Sequence, residues 1–347
     1  MHLVTVSQLH PGQLAAVMAL VNRVEAVDHV APLSEQVLLA ARDSADTETD
    51  TVTGKGMDTG TGHAHFLAYD GTHLAGYAHL EQGAAGKTAT ADVVQTSTAD
   101  VVETSTAEVV VDPADRRNGV ATELIRAMQD ALASRAHNLR LWSHGHLNGA
   151  RALAARDGYS IVRELWSMRR PLLPEAGSLP PVALAEGFAS RHFIVGQDED
   201  AWLRVNARAF ADHAEQGRLT RHDLDLRIAE PWFDATGLIL VEDMRGTAPV
   251  LAASHWTKIV ASDRRQAGPT TGEVYVVAVD PAYQGLGLGR VVTILGLEHL
   301  RARGVTEALL YVDADNTAAV ATYSRLGFTR FAVDVMYSPA VQPLVPR

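Results

Sequence analysis

The sequence predicts an α/β fold written twice: two tandem domains, each a mixed central sheet flanked by helices. Three observations carry that expectation. The chain has 347 residues, 47% of them hydrophobic, too many for one ordinary domain and comfortable for two. Apolar β-branched runs alternate with stretches of helical period, the mark of helices layered on a sheet. Two long stretches also recur in the same order at a near-constant distance, the signature of a duplicated unit.

In chain order, MHLVTVSQLHPGQLAAVMALV predicts a short strand and then an amphipathic helix. It has no basic leader, and its longest apolar run, Leu14 to Val21, falls far short of the ~18–20 residues of a membrane span. Neither a signal peptide nor a membrane anchor is expected. From Asp43 the chain turns polar and glycine-rich, and residues 91–111 read ADVVQTST, ADVVETST, AEVVV. This predicts an elaboration of the first domain over about 43–107, its last copy forming the strand that enters Asp112-Pro113. A disordered loop is the alternative.

The repeat itself pairs EVVVDPADRRNGVATELIRAM, from Glu108, with VYVVAVDPAYQGLGLGRVVTIL, from Val274. Each is a strand ending in Asp-Pro, then a turn, a glycine-containing loop and an amphipathic helix. Asp112 and Asp280 lie 168 positions apart, as do Asn148 and Asn316 in the next matched pair of segments. Between the copies, RRPLLPEAGSLPPVALAEG carries four prolines and little periodicity, as a linker does. The expected division is a first domain over 1–172, a linker over 173–190 and a second domain over 191–347.

Composition excludes several functions. Thirty basic against 41 acidic residues leave a net charge of −11, which argues against binding nucleic acid or an anionic membrane. The chain has no cysteine, so disulfides, thiolate metal sites and acyl-cysteine intermediates are ruled out. That absence is compatible with a reducing cytoplasm, and a cytoplasmic protein is expected; a monomer is expected separately. His144 and His146 could present two imidazoles on one strand face, but no further ligand spacing follows, and no metal site is expected.

The chemistry concentrates in QGLGLGR, Gln284 to Arg290, between the strand VYVVAV and a helix. Glycines let backbone N–H groups approach a ligand, and a helix N-terminus adds partial positive charge, so the segment can cradle a pyrophosphate. A dinucleotide fold spaces its glycines differently and needs a later acidic residue. Glycines that only pack a tight turn remain the alternative from the loop alone.

Asp280-Pro281, QGLGLG and the downstream DNTAAVATYSRLGF together resemble the GNAT superfamily of N-acetyltransferases. The first copy carries RRNGVA, Asn148 and Gly158-Tyr159 in matching places. Within the superfamily, APLSEQ, DHAEQG, PWFDATGLIL, SHWTK and GEVYVVAVDP resemble the mycothiol synthase family over nearly the whole chain, most weakly over 43–107.

The resemblance implies acetyl-CoA as co-substrate and a second domain that acetylates the cysteinyl amine of cysteinyl-glucosaminyl-inositol, with the first domain non-catalytic. It implies acetyl-CoA contacts at Val277, Ala278 and Val279, at Gln284, Gly285, Leu286, Gly287, Leu288, Gly289 and Arg290, and along Asn316, Thr317, Ala318, Ala319, Val320 and Ala321. The first-copy equivalents are Val109, Val110 and Val111, then Arg116, Arg117, Asn118, Gly119, Val120 and Ala121. Glu273 takes the role of base and Tyr323 that of acid. Glu35, Glu215, Lys258, Glu273 and Tyr311 are the implied substrate contacts. Without the resemblance, a strand-end glutamate reads as a solvated surface group and Tyr323 as a core tyrosine. By constant offset, Glu273 aligns with Ser105 and Tyr323 with Ala154 or Ala155, so the first copy lacks both groups at those places. Acetylation of a different amine, or acyl-CoA binding without catalysis, are the competing functions.

Overall fold

A computed structural model describes residues 1–46, 62–82, 103–133, 137–173, 177, 179–211, 216–259 and 270–340. The described chain divides into two compact units. One takes in the chain up to Glu164 together with the stretch from Val333; the other is Leu165–Ala332.

The first unit opens with β1 (His2–Val6) and α1 (Pro11–Asp28), then α2 (Glu35–Asp46), β2 (His63–Asp70), β3 (His73–Glu81) and β4 (Glu103–Val111). It continues with α3 (Val120–Leu132), β5 (His137–Ser143), α4 (Asn148–Arg156) and the start of β6 (Tyr159–Pro171). The second unit repeats the order: β7 (Phe188–His192), α5 (Glu199–Ala209), α6 (Arg221–Ile228), β8 (Leu238–Asp243), β9 (Val250–Ile259), β10 (Thr271–Val279), α7 (Leu288–Ala302), β11 (Glu307–Asp313), α8 (Thr317–Arg325) and the start of β12 (Thr329–Pro339).

Local sequence explains the main elements. Pro11 stands at the first position of α1, and His10 caps it reciprocally with Gln13, two devices that satisfy orphan N–H groups. Its apolar face, Val17, Leu20, Val21 and Val24, packs on Leu67, Leu74 and Tyr77 of the sheet. Helix α3 buries Val120, Leu124, Ile125 and Met128 on the opposite face, against Phe66, Ala78 and Leu80. In the second unit Trp202 of α5 meets Trp256 edge to face at 5.4 Å, while Val292 of α7 packs on Val241, Ala252 and Ala253 from the other side. Each sheet is therefore covered by helices on both faces.

The strand orders are β1-β2-β3-β4-β5-β12 in the first unit and β7-β8-β9-β10-β11-β6 in the second. The β4–β5 and β10–β11 pairs are parallel and the others antiparallel, so both sheets are mixed. The sixth strand is exchanged between copies. Leu165–Pro171 pairs with β11, and Val335–Tyr337 pairs with β5. The contact boundary thus falls at 164/165, ahead of the proline-rich stretch, and the chain from Val333 returns to the first unit. Pairing across distant sequence, rather than linker composition, sets it.

Two expectations need correction. The stretch 43–107 is not merely a polar elaboration, because β2 and β3 lie inside it and bury Phe66, Leu67, Tyr77 and Leu80 almost completely. The last tandem copy does fall in β4, while residues 91–102 lie outside the described residues. His144 and His146 sit on a short 3-10 turn broken at Gly145, not on a strand.

Candidate active site in the second unit

The strand–turn–helix that follows β10 is built from its own sequence. Asp280 accepts the N–H of Ala282 at 2.9 Å and pairs with Arg208 of α5 at 3.0 Å, which fixes the turn after the strand. Gly285 and Gly287 then take φ of +81° and +75°, and a Cβ at either would meet nothing within 4 Å. The loop is exposed on both sides of Leu286. At the start of α7 the first-turn N–H groups, Leu288 to Arg290, have no acceptor within the helix, and the helix dipole adds positive potential. A left-handed, open loop ending on such a helix fits a pyrophosphate.

Beside this loop the sheet comes apart. The parallel ladder of β10 with β11 takes in Thr271–Val274 against Glu307–Leu310. Past it β10 stays paired on its other edge, with β9. Along Tyr275–Val279 one backbone edge is thus freed from β11, and the N–H groups pointing that way can serve a ligand. Val277, Ala278 and Val279 lie on this edge.

A bulge marks where the strands part. Val274 faces Thr257 and Val276 faces Trp256, leaving Tyr275 as the extra residue. A bulge re-aims side chains locally. Here Tyr275 and Val276 both join the aromatic cluster under α5, whereas Val274 and Val277 pack toward α7 and α8.

By the same alternation Glu273, opposite Lys258 in the ladder, faces the α5–α6 side. So does Lys258, whose Nζ lies 4.9 Å from the Trp232 ring centre and 5.1 Å from that of Tyr275. Tyr311, half-exposed on β11, points to this side as well, since its neighbours Leu310 and Val312 pack on the other.

Tyr323 approaches from the opposite face. It lies on α8, half-buried against Phe328 at 5.9 Å in the cluster that holds Leu310 and Val312. Burial pushes its phenol up to about 12, so it stays protonated at neutral pH. Asn316 caps α8, its side chain accepting the N–H of Ala319 at 3.1 Å. The residues that follow, Thr317 and Ala318, are exposed and Ala319 to Ala321 partly so. The opening between β10 and β11 lies between the groups on the two faces.

Comparison with known proteins settles the family. The acetyltransferase (GNAT) family model matches residues 38–159 and again 209–328. A mycothiol acetyltransferase of Kytococcus sedentarius is 45% identical over 96% of both chains, and one of Catenulispora acidiphila 44% identical over 94% of this chain and 95% of its own. The chain belongs to the GNAT acetyltransferases, among the mycothiol acetyltransferases. It is an acetyl-CoA-dependent N-acetyltransferase made of two GNAT domains. Solved structures agree on the fold: a tandem GNAT protein from the clavulanic acid biosynthesis pathway has a TM-score of 0.65 at 15% identity, each chain 99% covered. A GCN5-related N-acetyltransferase from Sphaerobacter thermophilus gives 0.57 at 20%, with 99% of this chain and 98% of that one covered.

The first GNAT domain repeats the loop with a shorter opening. Arg117 and Gly119 take φ of +68° and +87°, matching Gly285 and Gly287, so the left-handed bends survive even where glycine does not. Asn118 and Gly119 are exposed, Val120 starts α3 as a buried residue, and Ala121 follows it. Arg116, which replaces Gln284, is held by two bonds to Asp28, at 2.8 and 2.6 Å. The β4–β5 ladder, however, runs from Glu103 through Glu108, leaving only Val109–Val111 freed from β5, and the β3–β4 register has no bulge. Without the extra residue, the counterpart of Glu273 is Thr106 rather than Ser105, because Thr106 faces Glu81 as Glu273 faces Lys258.

A buried carboxylate does occur in the first domain, two residues on. Glu108 accepts the Ser34 N–H at 2.7 Å and lies 3.3 Å from His144, which lies 3.2 Å from Asp334. Burial alone would lower His144, but the bonds to Asp334 and Glu108 outweigh it and push it up to about 10. Glu108 is thus tied to a histidinium. A second group, His73 with Asp112 and Asp115, gathers its ligand atoms within 4.8 Å, yet Asp112 already holds Arg23 at 2.7 Å and the Ala114 N–H at 3.0 Å.

Of the remaining expected contacts, Glu35 is the first residue of α2 in the first unit, and Glu215 lies outside the described residues. Sequence reasoning missed Trp232 and Tyr275, whose rings flank Lys258, and Arg227, which donates to the Tyr275 hydroxyl. PWFDATGLIL and GEVYVVAVDP contain the first two, but nothing in spacing marks a bulge. Among the described residues no helix is long and apolar enough to cross a membrane.

Proposed function

We propose that the second domain transfers acetyl from acetyl-CoA to the cysteinyl amine of cysteinyl-glucosaminyl-inositol, yielding mycothiol and CoA. The observation that carries the mechanism is the parting of β10 from β11 past Val274, between a carboxylate on one face and a protonated phenol on the other. The observation that carries the substrate is similarity along 96% of the chain to a protein named mycothiol acetyltransferase.

In this reading the pyrophosphate rests on Gln284–Arg290, α8 from Asn316 to Ala321 borders the co-substrate, and the acyl end lies along the freed edge of Val277–Val279. Glu273 takes a proton from the substrate ammonium through water. The free amine attacks the thioester carbonyl, and the oxyanion is met by backbone N–H groups of β10. The C–S bond then breaks as Tyr323 gives its proton to the leaving sulfur, and the second proton, shed by the nitrogen as the amide forms, restores the phenol. Lys258 and Tyr311 bind the acceptor on the Glu273 side.

The first domain can hold acetyl-CoA at its Arg116–Ala121 loop but does not catalyse, since it has neither the longer free edge nor a base at Thr106. Purified protein given acetyl-CoA and the cysteinyl amine should release CoA stoichiometrically with the acetylated product. Turnover confined to some other amine would overturn the substrate assignment.

A further inference from the structure

Arg227, near the end of α6, is only 6% exposed. Its Nε donates to the Tyr275 hydroxyl and its Nη1 to the Asp223 carbonyl, each at 2.8 Å. Tyr275 is the extra residue of the β10 bulge. A bulged residue has lost the pairing that fixes its neighbours, so its side chain needs another restraint, and Arg227 supplies it.

The restrained ring becomes a wall. Trp232 meets Tyr275 at 5.0 Å and Trp256 meets it at 5.3 Å, both near-perpendicular. Lys258 Nζ sits within cation–π range of Trp232 and Tyr275. A lysine ammonium on its four-carbon stem samples many positions; two ring faces hold this one on the side where Glu273 stands.

We infer that Arg227 and Tyr275 are positioning residues for the acceptor. Arg227 fixes the bulged ring, the ring fixes the Lys258 ammonium, and that ammonium meets the hydroxyl-rich half of the amine substrate. They set affinity for the amine and not for acetyl-CoA, whose loop lies beyond the other end of β10. The inference rests on the reading that the acceptor binds on the Glu273 face.

Tyr275→Phe, which keeps the ring and removes the hydroxyl, Arg227→Gln and the double variant make the test. Each single variant should raise KM for the amine about tenfold, with KM for acetyl-CoA and the thermal midpoint nearly unchanged. The double should be no worse than the more damaging single, because one bond is shared. A purely structural role would instead lower the midpoint and leave the amine KM alone.

A readout independent of turnover is at hand because the chain has only three lysines, Lys55, Lys87 and Lys258. Reductive methylation with carbon-13 keeps their charge. The Lys258 signal should be displaced by ring currents in the wild type and move toward the ordinary lysine position in both single variants. An undisplaced wild-type signal, or an amine KM unmoved by both variants, overturns the inference. Lack of turnover on the cysteinyl amine, with the lysine signal still moved by the variants, overturns the substrate assignment instead and supports the positioning role.

Discussion

In the proposed mechanism Glu273 and Tyr323 act from opposite faces of one sheet, so each should be needed independently of the other. Glu273→Gln keeps the shape and removes the base; Tyr323→Phe keeps the ring that packs on Phe328 and removes the proton. Each should cost on the order of a hundredfold or more in kcat, within the usual range for acid–base groups. Thr106→Val, at the first domain's counterpart of Glu273, should change kcat by less than twofold. Comparable losses at Thr106 and Glu273 would contradict the division of labour. The phenol at about 12 also predicts no alkaline fall in rate from Tyr323 below about pH 10, and a pH–rate profile of Tyr323→Phe against wild type checks it.

Helix α7 lies tight against the sheet it covers at Gly296. His255 of β9 is fully buried, its Nδ1 3.0 Å from the Val292 carbonyl, and a Cβ on Gly296 would stand 2.0 Å from that same nitrogen. Gly296→Ala should therefore destabilise the second unit by about 2–3 kcal/mol through overpacking, although alanine is the better helix former. Denaturant midpoints would show it, and a neutral or stabilising effect would mean the helix can lift at no cost. This contact also shows what sequence could not supply. The strand entering each Asp-Pro turn, the helices after the glycine loops and the duplicated order were legible because they follow from local period and turn chemistry. The Tyr275 bulge, the Arg227 bond and the exchanged strands were not, because each depends on a partner far away in the chain. The off-by-one match of Ser105 to Glu273 has the same origin: constant spacing cannot register a residue that one copy bulges and the other pairs.

At the scale of the molecule, each unit carries a buried neutral histidine that acid must charge. His65, bonded to the Tyr77 hydroxyl at 2.7 Å, and His255 are both pushed down to about 4 by burial. Unfolded, they would titrate near 6.5, so the unfolded chain binds more protons between pH 6.5 and 4. Stability present above pH 6.5 is then lost as pH falls toward 4, by up to about 3 kcal/mol for each histidine. His144 works in the other direction. Held up to about 10, it stabilises fully below pH 6.5 and loses that contribution as pH rises toward 10. Thermal midpoints between pH 4.5 and 9 should thus peak near neutrality, and His65→Gln should flatten the acid side. An unchanged acid slope in that variant would assign the loss to other groups.

The exchanged strand also bears on synthesis. The first unit's sheet is finished by Val335–Tyr337, and Asp334 beside them completes the bonds around His144. Those residues leave the ribosome only after the whole of Leu165–Ala332. At about 5–20 residues per second, the first unit waits roughly ten to thirty seconds with an open edge at β5 before its own sheet can close.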